Sequence, residues 1–339
     1  LSNLECEKYI FQGDVTFTPS TIEEIAIIGM NLSGNLFATS DASAAGRTIV
    51  KILFCEIDGN IDFNYNNYQL TVANNSINGQ VEFRAGKILG NTITCTSNHA
   101  VYIADEDDGG AEHLTDTVQI IGNRIYCDAS SYYCINGYTY DYFYQINNNF
   151  LYYQYRGVYL YRWTTSLDGT NEIMNNTFKR YYSTATTYAV YCYGITAGGV
   201  LNIYNNLMDG NSNGVAYGIY FSSMTSGICH VSYNYLDSGF DYNLYNLTDD
   251  GTNVETSFTI DEVTGQPTSG TYSNVWHPDL IYYDHDLTRN DVGCYGGSYS
   301  AVNYFPTGDA NNARVFDLKI HKAVYTGDPI RVEAEGFDK

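Results

Sequence analysis

The residues of this chain best suited to chemistry are its carboxylates and its tyrosines, and they fall in different places. The run Asp105-Glu106-Asp107-Asp108-Gly109-Gly110 gathers acids beside two glycines that permit a turn. Several oxygens on a turn suit Ca²⁺, and a plain solvated loop fits the same residues. Asp284, Asp286 and Asp291 form a second set around Arg289. They could ligate Ca²⁺, or form a capping turn in which Arg289 pairs with a carboxylate. No cofactor is required by either set, and calcium is the one they would accept. Glycosidic cleavage needs two carboxylates roughly 5 to 9 Å apart, and the doublets Asp107-Asp108 and Asp249-Asp250 offer paired acids. The histidines His99, His113, His230, His277, His285 and His321 are scattered. No Ser-His-Asp arrangement can be assembled from spacing, so no catalytic residue is assigned. His99 and His230 sit beside strand positions, where packing or hydrogen bonding accounts for them.

Tyrosine is the other unusual resource, with 35 residues in 339. A rigid ring with a polar tip favours strands, sugar-binding grooves and interfaces. The acids outnumber the bases 38 to 16, for a net charge of -22. That balance repels nucleic-acid phosphate and anionic membrane. No apolar stretch is long enough to span a bilayer, so no membrane insertion is expected. The chain starts at Leu1 without Met or a leader pattern, as a processed protein or a fragment would. Its polar, Gly- and Tyr-rich surface composition favours an extracellular or cell-surface location.

The elements that must position these residues announce themselves as a repeat. An apolar residue is followed three positions on by Asn and two further on by another apolar residue. The copies are Val72-Asn75-Ile77, Ile88-Asn91-Ile93, Ile120-Asn123-Ile125, Ile146-Asn149-Leu151, Ile173-Asn176-Phe178, Ile203-Asn206-Met208 and Val231-Asn234-Leu236. Ile27-Met30-Leu32 and Ile52-Cys55-Ile57 are earlier copies without Asn. Fixed-phase similarity of this kind marks a solenoid. Short Val-, Ile- and Tyr-rich runs with two-residue alternation make its elements strands. Few hairpin signals join them, so equivalent strands pair in parallel between coils, each rising about 4.8 Å. The odd three-residue offset forces a bend, which the anchor Asn tolerates by adopting left-handed geometry. Stacked Asn amides then form a ladder that satisfies otherwise costly buried groups.

A second column aligns Ala100-Val101-Tyr102-Ile103 with Cys134-Ile135-Asn136-Gly137, Gly157-Val158-Tyr159-Leu160, Ala189-Val190-Tyr191-Cys192 and Gly218-Ile219-Tyr220-Phe221. Alternation turns the small residue and the Tyr outward. The expected surface is a file of Tyr102, Tyr159, Tyr191 and Tyr220, interrupted by Asn136, beside a shallow channel of small residues. Cys95 and Cys127 each follow an anchor Asn by four positions, so they stack on adjacent coils. They are read as core-filling thiols, with a disulfide as the alternative.

Three units are expected. Residues 1-20 form an N-terminal cap or first strands, and 21-297 the parallel β-helix. Residues 298-339 form a C-terminal β segment, a partial immunoglobulin-like domain or docking strands. The fold class is all-β: a right-handed parallel β-helix solenoid followed by a short β-sandwich-like segment, complete or incomplete.

The repeated Asn turn resembles that of right-handed parallel β-helix proteins, the pectate-lyase-like superfamily, over roughly residues 20 to 297. The run Asp284 to Gly297, DHDLTRNDVGCYGG, is similar to the segment that closes such helices in secreted bacterial surface proteins. Leu287 and Cys294 stand where that pattern has Gly and Ala. The resemblance implies architecture more than activity, since the superfamily spans lyases, hydrolases, tailspikes and adhesins. A lyase of this kind would use acids to hold Ca²⁺ and an Arg or Lys as base, with Arg84, Arg124 and Arg156 on neighbouring coils. The Gly-His-Gly and Arg-Ile-Lys segments of the hydrolase branch are missing from this chain. The expectation is a non-catalytic extracellular structural or adhesive protein, self-assembling through Tyr-rich faces. Its partners would be copies of itself or a cell-surface glycan or protein. The alternatives are a polysaccharide lyase or glycoside hydrolase, and a β-helix that binds carbohydrate without cleavage.

Overall fold

The computed structural model describes residues 10–18, 24–41, 47–65, 67–104, 117–138, 142–161, 171–181, 185–193, 200–210, 214–222, 228–247, 249–269, 284, 290–297, 299–305, 314–320 and 332–337. Among them, three parallel sheets of eleven, ten and nine strands wind as a β-helix, each coil giving one strand to each sheet. The ladder sheet begins at Ile10–Gln12 and ends at Val254–Glu255. The tyrosine sheet runs from Val15–Phe17 to Tyr242–Tyr245. The third sheet runs from Glu24–Ile28 to Ile228–Ser232. This is the predicted solenoid, and its parallel crossovers are consistent with the right-handed winding expected of such connections.

The repeat motif sits in register throughout. Ile77 pairs with Ile93, Ile93 with Ile125, Ile125 with Leu151, Leu151 with Phe178 and Phe178 with Met208. Inward-facing Ile, Val, Leu and Phe from all three sheets fill one continuous core. The ladder is complete from Asn75 to Asn234 and continues one rung further, to Asn253. Each Asn Nδ2 donates to the next Asn Oδ1 at 2.9–3.0 Å. That Oδ1 also accepts the preceding Asn backbone N–H. The second amide hydrogen goes to the apolar anchor of the previous coil, as in Asn123 to Ile88 O at 2.8 Å and Asn149 to Ile120 O at 2.7 Å. Each ladder amide from Asn75 to Asn234 is thereby satisfied, which a single isolated Asn could not achieve.

One detail of the expected turn is corrected. The left-handed residue is the one before the ladder Asn, at Asn74, Gly90, Gly122, Asn148, Asn175 and Asn205, with φ between 52° and 68°. Placing the reversal there leaves the ladder Asn free to aim its amide along the axis.

The closing segment also differs from expectation, since it lies along the flank of the rod. Phe258, Ile260, Val292, Cys294 and Ala301 pack on outward-facing Phe150, Leu207 and Tyr235 of the ladder sheet. Tyr299 and Tyr304 cover Leu53, Ala73, Leu89 and Ile121 at its corner. Left-handed Asn side chains hold the strap: Asn148 Nδ2 donates to Cys294 O at 3.2 Å and Asn175 Nδ2 to Asn290 Oδ1 at 2.9 Å. The physical cause is the apolar outer surface of these coils, which a terminal cap would leave in water. Beyond the strap, Arg314–Ile320 and Val332–Phe337 form an antiparallel pair.

Candidate functional site

The tyrosine sheet carries the most distinctive surface. Its outward file reads, in register, Asp62, Glu82, Tyr102, Asn136, Tyr159, Tyr191, Tyr220 and Tyr245. Tyr102, Tyr159, Tyr191 and Tyr220 therefore stand on successive coils as expected, with Asn136 between the first two. Tyr191 and Tyr220 stack at 4.9 Å and 19°, and Tyr220 and Tyr245 at 4.7 Å and 5°.

Two flanking files accompany it. Three residues earlier on each strand stand Tyr133, Arg156, Tyr188 and Tyr217, again in register. Two residues later stand Tyr138, Tyr161 and Tyr193, with rings 4.6 and 5.2 Å apart. The signal was legible as Tyr188-x-x-Tyr191-x-Tyr193 and Arg156-x-x-Tyr159-x-Tyr161, but strict alternation hid it. Residues three apart share a face only where alternation breaks, and the small column supplies the break.

Ala100, Cys134 and Ala189 are fully buried in the core. A Cβ on Gly157 would meet the Phe178 ring at 2.6 Å, and one on Gly218 would meet Leu236 at 2.5 Å. Two consecutive residues, small then branched, thus turn inward at the bend. The expected shallow channel of small residues is corrected accordingly: the column lies beneath the surface, where close packing against the ladder sheet admits no large side chain.

Arg156 occupies a rung between Tyr133 and Tyr188, so its guanidinium takes the place of a ring. It lies 4.1 Å from the Tyr191 centroid and 4.7–5.2 Å from those of Tyr133, Tyr155, Tyr159 and Tyr188. Its Nη1 donates to Tyr133 Oη at 3.3 Å and its Nη2 to Tyr155 Oη at 3.1 Å. The ring quadrupoles offset part of the desolvation of the cation. Burial pushes the Tyr133 and Tyr159 phenols upward, against the pull of Arg156, and Tyr188 up to about 12. All stay protonated donors near neutral pH. Arg156 Nε and the buried Asn136 Oδ1 have no hydrogen-bond partner. His99 extends the aromatic surface, stacking on Tyr133 at 4.5 Å and accepting the Tyr133 N–H at Nδ1. Burial, then the Arg156 charge, holds its pKa down to about 4, so it is neutral here.

At the N-terminal end of the same file, Asp62 and Glu82 are neighbours across one coil step. Asn64 bridges them, accepting from Arg84 Nε, donating its N–H to Asp62 Oδ1 at 3.0 Å and its side-chain amide to Glu82. Burial and the Asp62 charge push the Glu82 carboxyl up to about 7. These residues gave no sequence signal, because no local spacing links them.

The other site readings fare differently. Asp105, Asp107 and Asp108 lie outside the described residues, as does Asp286. Asp284 accepts the backbone N–H of Asp291 and of Gly297. Both of its oxygens thus take part in a turn. Among the described residues, no group of three His, Cys, Asp or Glu could hold a metal ion. Asp249 and Asp250 accept from Gly251, Thr252, Asn253 and Ser232, finishing the ladder end. Arg84, Arg124 and Arg156 do not converge: Arg124 lies on the ladder sheet, 4.1 Å from the Phe305 ring. Cys95 and Cys127 are register partners on adjacent coils, and both are free thiols. Among the described residues, no helix is long and apolar enough to cross a membrane. No family model, no curated protein and no solved structure matches this chain.

Proposed function

We propose that this chain is a secreted or cell-surface β-helix of the pectate-lyase-like kind that binds carbohydrate on its tyrosine sheet and does not cleave it. The observation that carries this reading is the three-file aromatic face around Arg156. Phenol hydroxyls recur at the rise of one coil, a spacing on the scale of one sugar ring. A linear glycan laid along the rod would meet the same donors at each step. Neighbouring files stand nearly perpendicular, 88° for Tyr188 and Tyr191 and 81° for Tyr217 and Tyr220. The face therefore mixes two ring orientations, and polyhydroxyl chains with alternating polar and C–H surfaces suit such a mixture. Self-assembly through this face is the competing use, and the half-buried state of most of its rings favours the glycan, since flat dimer faces are built from projecting anchors.

Affinity electrophoresis of the full chain through gels containing soluble plant, bacterial and animal polysaccharides tests the reading. At least one glycan should retard the protein. Tyr159→Ala and Tyr191→Ala should each weaken retardation about tenfold, the loss of one good aromatic contact. Reducing ends should not accumulate. Release of products would establish an enzyme instead. Fibres in electron micrographs without retardation by any glycan would establish self-assembly.

A further inference from the structure

We propose that Lys179 and Asp209 condense to an intramolecular isopeptide bond that ties two successive coils of the β-helix together. Lys179 lies on the strand Thr177–Arg180, and Asp209 ends the strand Leu207–Asp209. The two are register partners in the ladder sheet, and Lys179 Nζ contacts Asp209 Oδ2 directly. The amine is thus within reach of the carboxyl carbon, and an intramolecular step replaces a collision. Both residues are buried, at 8% and 4% exposure. Lys51 and Glu24 also form an ion pair between adjacent coils, but their side chains are 24% and 54% exposed. Water favours the ions of that outer pair. A buried pair carries a desolvation cost instead, and a neutral amide removes it.

A second carboxyl group follows in the same file. Leu236 pairs with Met208, and the Asp237 N–H donates to Met208 O at 2.9 Å. Asp237 therefore stands one coil step beyond Asp209, about 4.8 Å along the rod. Burial, then the Asp209 charge, pushes its carboxyl pKa up, so it keeps a proton more readily than an exposed aspartate. Two positions earlier on the same strands, Thr177, Leu207 and Tyr235 lie beneath the strap. The Cys294 N–H donates to Thr177 Oγ1 at 2.9 Å, and Phe258 and Ile260 pack with Leu207 and Tyr235. The strap keeps bulk water from this side of the file, which favours loss of water from the pair over hydrolysis of the product.

The reaction needs no oxidant and no co-reactant. One proton passes from the Lys179 ammonium to the Asp209 carboxylate, leaving an amine and a carboxylic acid. The Nζ lone pair attacks Asp209 Cγ and forms the new C–N bond. Asp237 gives its proton to the leaving hydroxyl and takes one back from Nζ, so it ends unchanged. The C–O bond breaks and one water molecule departs. The resulting amide closes a loop between residues 30 positions apart. It lies on the ladder sheet and does not depend on what the tyrosine sheet binds.

The intact mass of the native full chain is measured by mass spectrometry, and its digest is mapped. The chain should be lighter than its sequence by one water molecule. One branched peptide should join the segment of Lys179 to that of Asp209, and none should join Lys51 to Glu24. Lys179→Arg and Asp209→Ala should each carry the full mass. Asp237→Asn should slow the reaction roughly a hundredfold, so that freshly purified protein carries the full mass and loses water over days. A wild-type chain of full mass would overturn the proposal. So would a loss of water that persists in Lys179→Arg, since Asp209 and Gly210 can close to a succinimide without any lysine. Prompt and complete linkage in Asp237→Asn would overturn the role given to Asp237.

Discussion

At the scale of single residues, the ladder asparagines are where one side chain matters most. Replacing Asn149 by Ala would leave the Asn123 N–H, the Asn123 amide and Ile120 O without their partners in a fully buried site. At about 1–3 kcal/mol for each stranded group, Asn149→Ala should destabilise by roughly 4 kcal/mol in urea titration. Asn253→Ala, at the half-exposed end rung, should cost about 1 kcal/mol. Glu82 offers a signed test in pH. Its carboxyl is raised in the fold from 4.5 to about 7, so the native state holds a proton that the unfolded state releases first. The group's contribution is fully present below about pH 4.5 and is lost as pH rises to 7. Partial exposure screens the effect to about 1 kcal/mol. Glu82→Gln should therefore be more stable than wild type at pH 8 and no more stable at pH 4, read from urea midpoints at the two pH values. His99 works in the opposite sense. Its depressed pKa costs stability as pH falls from 6.5 to about 4, so the test lies in the difference between variant and wild type.

At the scale of elements, the strap and the coil corners depend on each other. Gly122 has φ +68°, and a Cβ there would stand 2.1 Å from the Tyr304 ring. Gly122→Ala should cost about 2 kcal/mol through left-handed strain and displacement of the strap. Adding Tyr304→Ala should recover the displacement part, so the double variant loses less than the sum of the singles. Limited proteolysis should nick residues 299–305 faster in Gly122→Ala than in wild type. The three files of the tyrosine sheet show how an element converts sequence into a surface. Small residues at positions 134, 157, 189 and 218 break the alternation, and without that break Tyr188 and Tyr191 would point to opposite faces.

At the scale of the whole molecule, charge and one-dimensional stacking dominate. With a net charge of -22, self-repulsion opposes the compact state. Raising NaCl from about 10 mM to about 200 mM shortens the screening length from roughly 30 Å to below 10 Å. The melting temperature should then rise by several degrees, measured by circular dichroism. An unchanged value would mean that the carboxylates are already neutralised pairwise. The rod is built from contacts between neighbouring coils, and equivalent side chains become continuous files because the register is shared. The aromatic face is thus a property of the stack, assembled from residues that are about 30 positions apart in the chain, as Tyr159, Tyr191 and Tyr220 are.

The solenoid, its register and its Asn ladder were determined by sequence alone, because each depends on a local pattern repeated in phase: Ile-x-x-Asn-x-Ile sets both the turn and what stacks on it. The tyrosine file of 102, 159, 191 and 220 was legible for the same reason. Tertiary structure alone decided what involves contacts without a fixed spacing. The inward turn of the small column depends on the Phe178 and Leu236 side chains across the core. The strap's place along the flank depends on which outer surfaces are apolar. The ring cage around Arg156 and the Asp62–Glu82 pair arise where separate strands are brought side by side, and no local periodicity records those encounters.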